Sequence, residues 1–231
     1  MYRYTKSQLL DIFLPVILFT GLMFLFHQTS LDEWIAGHFY SESESWIYRD
    51  NFFLEKILHK GGVIFSTVLL FGFILRWIYI ATKKPFNRLE RDYMGFIVIA
   101  SVMTILLIFL LKRWTTLPCP WNSLEFGGGT AIPSLWKMFS PDLPSAHCFP
   151  GGHSSGGYAF LSLYFGHTYI YGKRKLSALI PGVLLGVIFG FTQQIRGAHF
   201  ISHDFATIIL SILCSWLTSL FYNYYHNKYE S

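Results

Sequence analysis

Charge is what this sequence has least of: Asp, Glu, Lys and Arg make up 13% of its 231 residues, against 52% hydrophobic. With its apolar residues gathered into runs near or above bilayer length, so low a charged fraction excludes an ordinary water-soluble domain and marks an integral membrane protein. The first apolar run lacks a small-residue cleavage site and is longer than the apolar core of a signal peptide, so it is read as a retained anchor. The net charge of +5 suits a protein beside anionic lipid and does not call for nucleic acid. Cysteine is scarce as well, with three in the chain.

What is present is a set of six apolar runs, at 9–26, 61–81, 94–111, 153–171, 177–195 and 205–222. They predict an all-α fold, a polytopic membrane bundle of six transmembrane helices forming one domain over 1–231. An even number of spans puts both termini on one side. Arg3, Lys6, Lys83, Lys84, Arg88, Arg91, Lys173, Arg174, Lys175 and Lys228 fall on that side, and Arg49, Lys56, Lys60, Lys112, Arg113, Lys137 and Arg196 on the other. The first group clusters in short loops such as KKPFNRLER and GKRK, where positive charge fixes orientation, so the termini are predicted to be cytoplasmic.

Most of the spans report packing. Gly182, Gly186 and Gly190 recur every four residues and predict a close helix–helix approach. Tyr and Trp at span ends, as in SLFYNYYHNKY, read as a headgroup belt. The stretch between the first two spans is too polar to cross and is expected to lie partly on the membrane as an amphipathic helix. Its His38 and His59 read as solvated surface residues.

The face opposite the termini differs. LKRWTTLPCPW after span three, HCFPGGHSSGG entering span four and RGAHFISHD between spans five and six all emerge there. Ionisable groups near hydrocarbon are costly unless paired or used, so this convergence predicts a functional site. Pro150, Gly151 and Gly152 open a helix with free backbone amides, which Ser154 is placed to cap, and such an N-terminus binds phosphate. Lys112, Arg113 and Arg196 add cationic donors. His153 and His199 can divide the roles of proton donor and nucleophile, with Asp204 fixing one ring's tautomer. That is a phosphoryl-transfer site with no cofactor and no metal. An alternative is zinc held by His199 and His203 at i and i+4 with the adjacent carboxylate.

At these residues the chain resembles the type-2 phosphatidic acid phosphatases, a family that includes bacterial inner-membrane lipid phosphatases. The family's blocks are Lys, six residues, Arg-Pro; Pro-Ser-Gly-His; and Ser-Arg, five residues, His, three residues, Asp. Here the first reads Lys112, six residues, Cys119-Pro120; the second reads Pro150-Gly151-Gly152-His153; the third has Arg196 three before His199 and Asp204 five after it. The core motifs span 112–207. The resemblance implies a helical bundle in which the last histidine is phosphorylated while the middle block's histidine protonates the leaving group.

Three departures follow. Cys119 stands for a phosphate-binding arginine, so Arg113 or Arg196 is expected to supply that charge, and Gly151 stands for a serine. On a regular helix a residue five on from His199 lies about 140° round the axis, against about 40° for one four on. Either Asp204 orients His199 from an irregular segment, or His203 takes that place with Asp204 behind it. Cys119 and Cys148 flank the first two blocks on a face that is oxidising in the periplasm, and a disulfide is expected between them; Cys214 reads as a buried small residue.

These readings imply a hydrolase acting on a lipid phosphate monoester or diphosphate through a phosphohistidine. It would sit in a bacterial inner membrane with its site on the periplasmic face. A phospholipid, a polyprenyl diphosphate or lipid A is the expected class of substrate. A lipid phosphoryl transferase, or a non-catalytic lipid-binding or transport protein on the same scaffold, is the alternative.

Overall fold

The computed structural model describes residues 4–83, 85 and 87–229. Five of its helices are long and apolar enough to cross a membrane, Lys6–Gln28, Phe53–Thr82, Arg88–Leu111, Leu176–Ile195 and Ile201–His226, and they mark an integral membrane protein. The elements run α1 (Lys6–Gln28), α2 (Leu31–Gly37), a two-residue hairpin of β1 (Tyr40–Ser41) and β2 (Ser45–Trp46), a π-helix (Phe53–Gly61) passing directly into α3 (Gly62–Thr82), α4 (Arg88–Leu111), α5 (Ser155–Tyr158), α6 (Ser162–Tyr171), α7 (Ile180–Ile195) and α8 (Ile201–Tyr229). Arg3 and Lys84, two of the charges behind the expected orientation, lie outside the described residues.

Two elements differ from expectation. The second span starts earlier, because the polar residues over Phe53–Gly61 wind into a π-helix that runs directly into α3. The fourth run is helical over 155–171 but is not one regular helix: the α winding of α5 gives way to a 3₁₀ turn over Ala159–Leu161 before α6 resumes it. Most of its residues are buried by surrounding protein. A segment shielded from lipid in this way can change winding, since its neighbours satisfy backbone groups that lipid would strand. By contrast α3 leaves Ile64, Val68, Phe71 and Ile78 more than half exposed, the surface a lipid-facing helix needs.

Small residues set how closely the helices approach. A Cβ on Gly157 would lie 2.1 Å from the amide nitrogen of Gly186, and one on Gly182 would lie 2.6 Å from that of Leu161, so α7 runs backbone to backbone against α5 and the turn after it. The third glycine of the stripe, Gly190, makes room for the Asp204 carboxylate, whose Oδ2 is 2.2 Å from the position a Cβ would take.

Polar ties define the two ends of the bundle. Gln8 donates to the Gly172 carbonyl at 3.1 Å, Arg174 pairs with Asp11 at 2.6 Å, and Arg88 meets the His226 ring at 3.0 Å. These contacts gather the start of α1, the start of α4, the α6–α7 link and the end of α8 at one end. At the other end, α2, the hairpin and the loop over 113–150 form a cap. Its apolar centre is Ala36, Trp46, Phe126 and Phe200, with Trp46 and Phe126 ring centroids 5.1 Å apart. A disulfide joins Cys119 to Cys148 with their Cα atoms 5.4 Å apart, and Cys214 is a buried free thiol.

Candidate active site

Under the cap, the three polar segments meet. Lys112 is the C-cap of α4, and its Nζ lies 3.1 Å from where a Cβ on Gly152 would sit, so the glycine leaves the ammonium its space. Burial lowers the Lys112 pKa to about 8. His153 ends the turn that leads into α5. Its ring packs on those of His59, at 4.5 Å, and Phe189, at 5.4 Å, and its Nε2 is 3.4 Å from the Leu58 carbonyl. Burial, and then the charge of His59, push the His153 pKa down to about 4, with the Leu58 carbonyl working the other way and Arg196 and Lys112 adding to the drop.

His199 stands in the short link between α7 and α8. That link turns at Gly197, whose φ of +73° and whose face against the Trp46 ring, 2.2 Å from a would-be Cβ, exclude any side chain. His199 is 7% exposed, and its Nδ1 lies 3.2 Å from His203 Nδ1. Burial holds its pKa well below the usual histidine range, and Lys112, His203, His153 and His59 act in the same direction. Residues from four separate stretches therefore bear on one imidazole. Arg196 is buried beside them, its Nε donating to the Arg49 carbonyl at 2.8 Å and an Nη to Gln193 at a longer 3.4 Å.

The remaining expected residues are placed differently from their sequence reading. Arg113 is exposed, with its guanidinium 4.4 Å above the Phe109 ring on the flank of α4, because the chain turns outward after Lys112. The Gly151 amide is not free: it donates to the His203 carbonyl at 3.1 Å, since the turn docks on α8. Ser154 makes no cap bond to α5 and gives its hydroxyl to the Gly151 carbonyl at 3.1 Å. Asp204 faces α7 and the turn at Gly151 rather than His199, and Gln194 donates to its Oδ2 at 2.6 Å. His203, one residue earlier, is the side chain that meets His199, their Nδ1 atoms lying 3.2 Å apart at the start of α8. For the zinc reading, Cys148, His199 and His203 bring ligand-type atoms within 4.8 Å of one another, but the Cys148 sulfur is bonded to Cys119 and has no thiolate to offer.

Several residues of the site carried no signal in the sequence. His59 reads as a lone histidine in a polar stretch, yet it lies against His153. Arg49 is held over the Trp121 ring at 4.6 Å while its carbonyl receives Arg196. On the lipid side, an apolar cavity of about 570 Å³ opens between α1, α6, α7 and α8 and reaches Gln194 and Asp204 at the capped end.

The PAP2 superfamily model matches residues 93–227, more than half of the chain, and takes in all three polar segments. The chain belongs to the PAP2 superfamily. Among curated proteins and among solved structures, none matches it. Superfamily members are phosphatases acting on phosphate esters, and membership supports a hydrolase activity for this chain. The matched range contains Lys112, His153 and the buried pair His199 and His203.

Proposed function

We propose that this protein is a lipid phosphatase that hydrolyses a phosphate monoester or diphosphate through a phosphohistidine on His199. The reading is carried by the convergence of Lys112, His153 and His199 from three distant stretches into one capped, largely buried site. A neutral imidazole is the nucleophilic form, and burial together with the surrounding cations keeps His199 neutral at physiological pH. With the His199 proton on Nδ1 and donated to His203, the lone pair is on Nε2, which attacks phosphorus.

Lys112 and Arg196 stabilise the charge on the equatorial oxygens. His153 protonates the departing alkoxide; bound phosphate, a dianion among cations, raises the pKa that burial lowers in the empty site. In the second half-reaction a water attacks the phosphohistidine, His153 takes its proton, and inorganic phosphate leaves. No step calls on a metal. The apolar cavity beside α7 and α8 supports a substrate with a hydrocarbon tail. In this reading the run over 155–171 is a sixth crossing, the termini are cytoplasmic and the site faces the periplasm.

The test is release of inorganic phosphate by purified protein from a panel of phosphatidic acid, phosphatidylglycerol phosphate, a polyprenyl diphosphate and lipid A. Release lost in His199→Ala, inhibited by vanadate and indifferent to chelators is expected. Wild-type rates in His199→Ala would refute the assignment.

A further inference from the structure

His59 has no role in the reaction just described, yet its position is costly to build. It lies on the π-helix Phe53–Gly61, a rare winding that occurs frequently at functional sites. That segment presents two groups to the same partner, the Leu58 carbonyl and the His59 ring, both directed at His153. A close approach carries it there: a Cβ on Gly62, just after the π-helix, would lie 2.7 Å from the Phe189 ring of α7.

The charge acting on the ring is mainly positive. His153 faces it from the turn before α5, Arg196 from the end of α7 and Lys60 from its own helix. The acidic group nearby, Glu55, is engaged by Lys60 at 2.8 Å and Lys56 at 3.4 Å. The Nδ1 of His59 is buried and has no hydrogen-bond partner among the described residues. A buried ring nitrogen left unpaired costs free energy until a partner arrives, and a space bordered by cations selects an anion.

We propose that His59 is a third imidazole of the phosphate site, its Nδ1–H donating to a non-bridging oxygen of the phosphoryl group held by Lys112 and Arg196. The assignment rests on the phosphatase reading and adds to it a residue that touches the substrate. It also gives the π-helix a purpose, since a wider turn lets consecutive residues hold the proton donor and contact the phosphate.

The experiment measures vanadate inhibition and kcat/KM for phosphate release in the full-length wild type, His59→Phe and His59→Asn. Phenylalanine keeps a ring to pack on His153 and removes the donor; asparagine removes the ring and keeps a donor near the Nδ1 position. The expected result is inhibition by vanadate weakened on the order of tenfold or more in His59→Phe, kcat/KM lowered with it, and partial recovery of both in His59→Asn. His59→Phe matching wild type, or rescuing where His59→Asn fails, would show a packing role and overturn the inference while leaving the phosphatase reading intact. A wild type that neither releases phosphate nor responds to vanadate would overturn both, since His59 would have no phosphoryl group to meet.

Discussion

The carboxylate of Asp32 on α2 accepts the backbone N–H of Ser202 at 3.0 Å, across 170 residues of chain, and so closes the first turn of α8. An oxygen at that point satisfies an amide that the helix cannot, and it braces the link that holds His199. Replacing Asp32 with Ala should therefore cost about 1 kcal/mol and lower the melting temperature in detergent, while Asp32→Asn, which keeps the acceptor, should stay near wild type. Burial raises the Asp32 pKa from 3.8 to about 6. A carboxyl with a raised pKa favours the folded state while protonated, so that contribution fades as pH rises through this window. Melting curves between about pH 4 and pH 7 should show this decline in wild type and a shallower one in Asp32→Asn.

His199 and His203 are expected to act as a unit. Replacing His199 with Ala should abolish phosphate release. His203→Ala should lower kcat roughly a hundredfold with little change in KM, because the nucleophile is then misaimed but the phosphate contacts remain. Asp204→Asn, whose side-chain oxygen still accepts from Gln194, should be mild by comparison. Equal losses of kcat in the His203 and Asp204 variants would assign the orienting role to both.

Lys112 gives the site a pH limit. Burial brings its pKa to about 8, so phosphate binding should weaken as pH rises through that value and the ammonium loses its proton; a bound anion shifts the limit upward. KM measured across this range should rise in wild type and stay flatter in Lys112→Arg, since a guanidinium remains charged. An identical KM profile in the two proteins would remove Lys112 from the phosphate site.

Gly151 and Asp204 are coupled by space. A Cβ at residue 151 would sit 2.6 Å from Asp204 Oδ1 and 2.7 Å from the Ser154 hydroxyl, so Gly151→Ser should destabilise the protein although serine is the residue the family's pattern carries there. Asp204→Ala relieves one of the two clashes. A double-mutant cycle on thermal stability should then give Gly151→Ser a smaller penalty in the Asp204→Ala background than in wild type.

Much of the bundle was legible because burial and lipid contact both demand long apolar runs, and five such runs became helices of membrane-spanning length. The glycine stripe of α7 was legible for a similar reason: a side chain reduced to hydrogen has few uses other than close approach. Winding was not legible. Nothing local in LEKILHK marks a π-helix, and the contact just after it, Gly62 against Phe189, joins residues 127 positions apart in the sequence. His59 was hidden with it, since nothing local separates a solvated histidine from one folded against His153. Asp204 shows a subtler limit. On sequence alone Asp204 reads as the partner of His199, with His203 as the alternative; what its side chain faces, Gln194 and the space left by Gly190, comes from a neighbouring helix.

The covalent bond between Cys119 and Cys148 ties the stretch after Lys112 to the stretch before His153, and everything over 120–147 hangs from it as a tethered loop. Insertions or exchanges within that loop can reshape the mouth of the site without altering the spacing of Lys112 and His153. The shape of the mouth and the spacing at the centre are thereby decoupled.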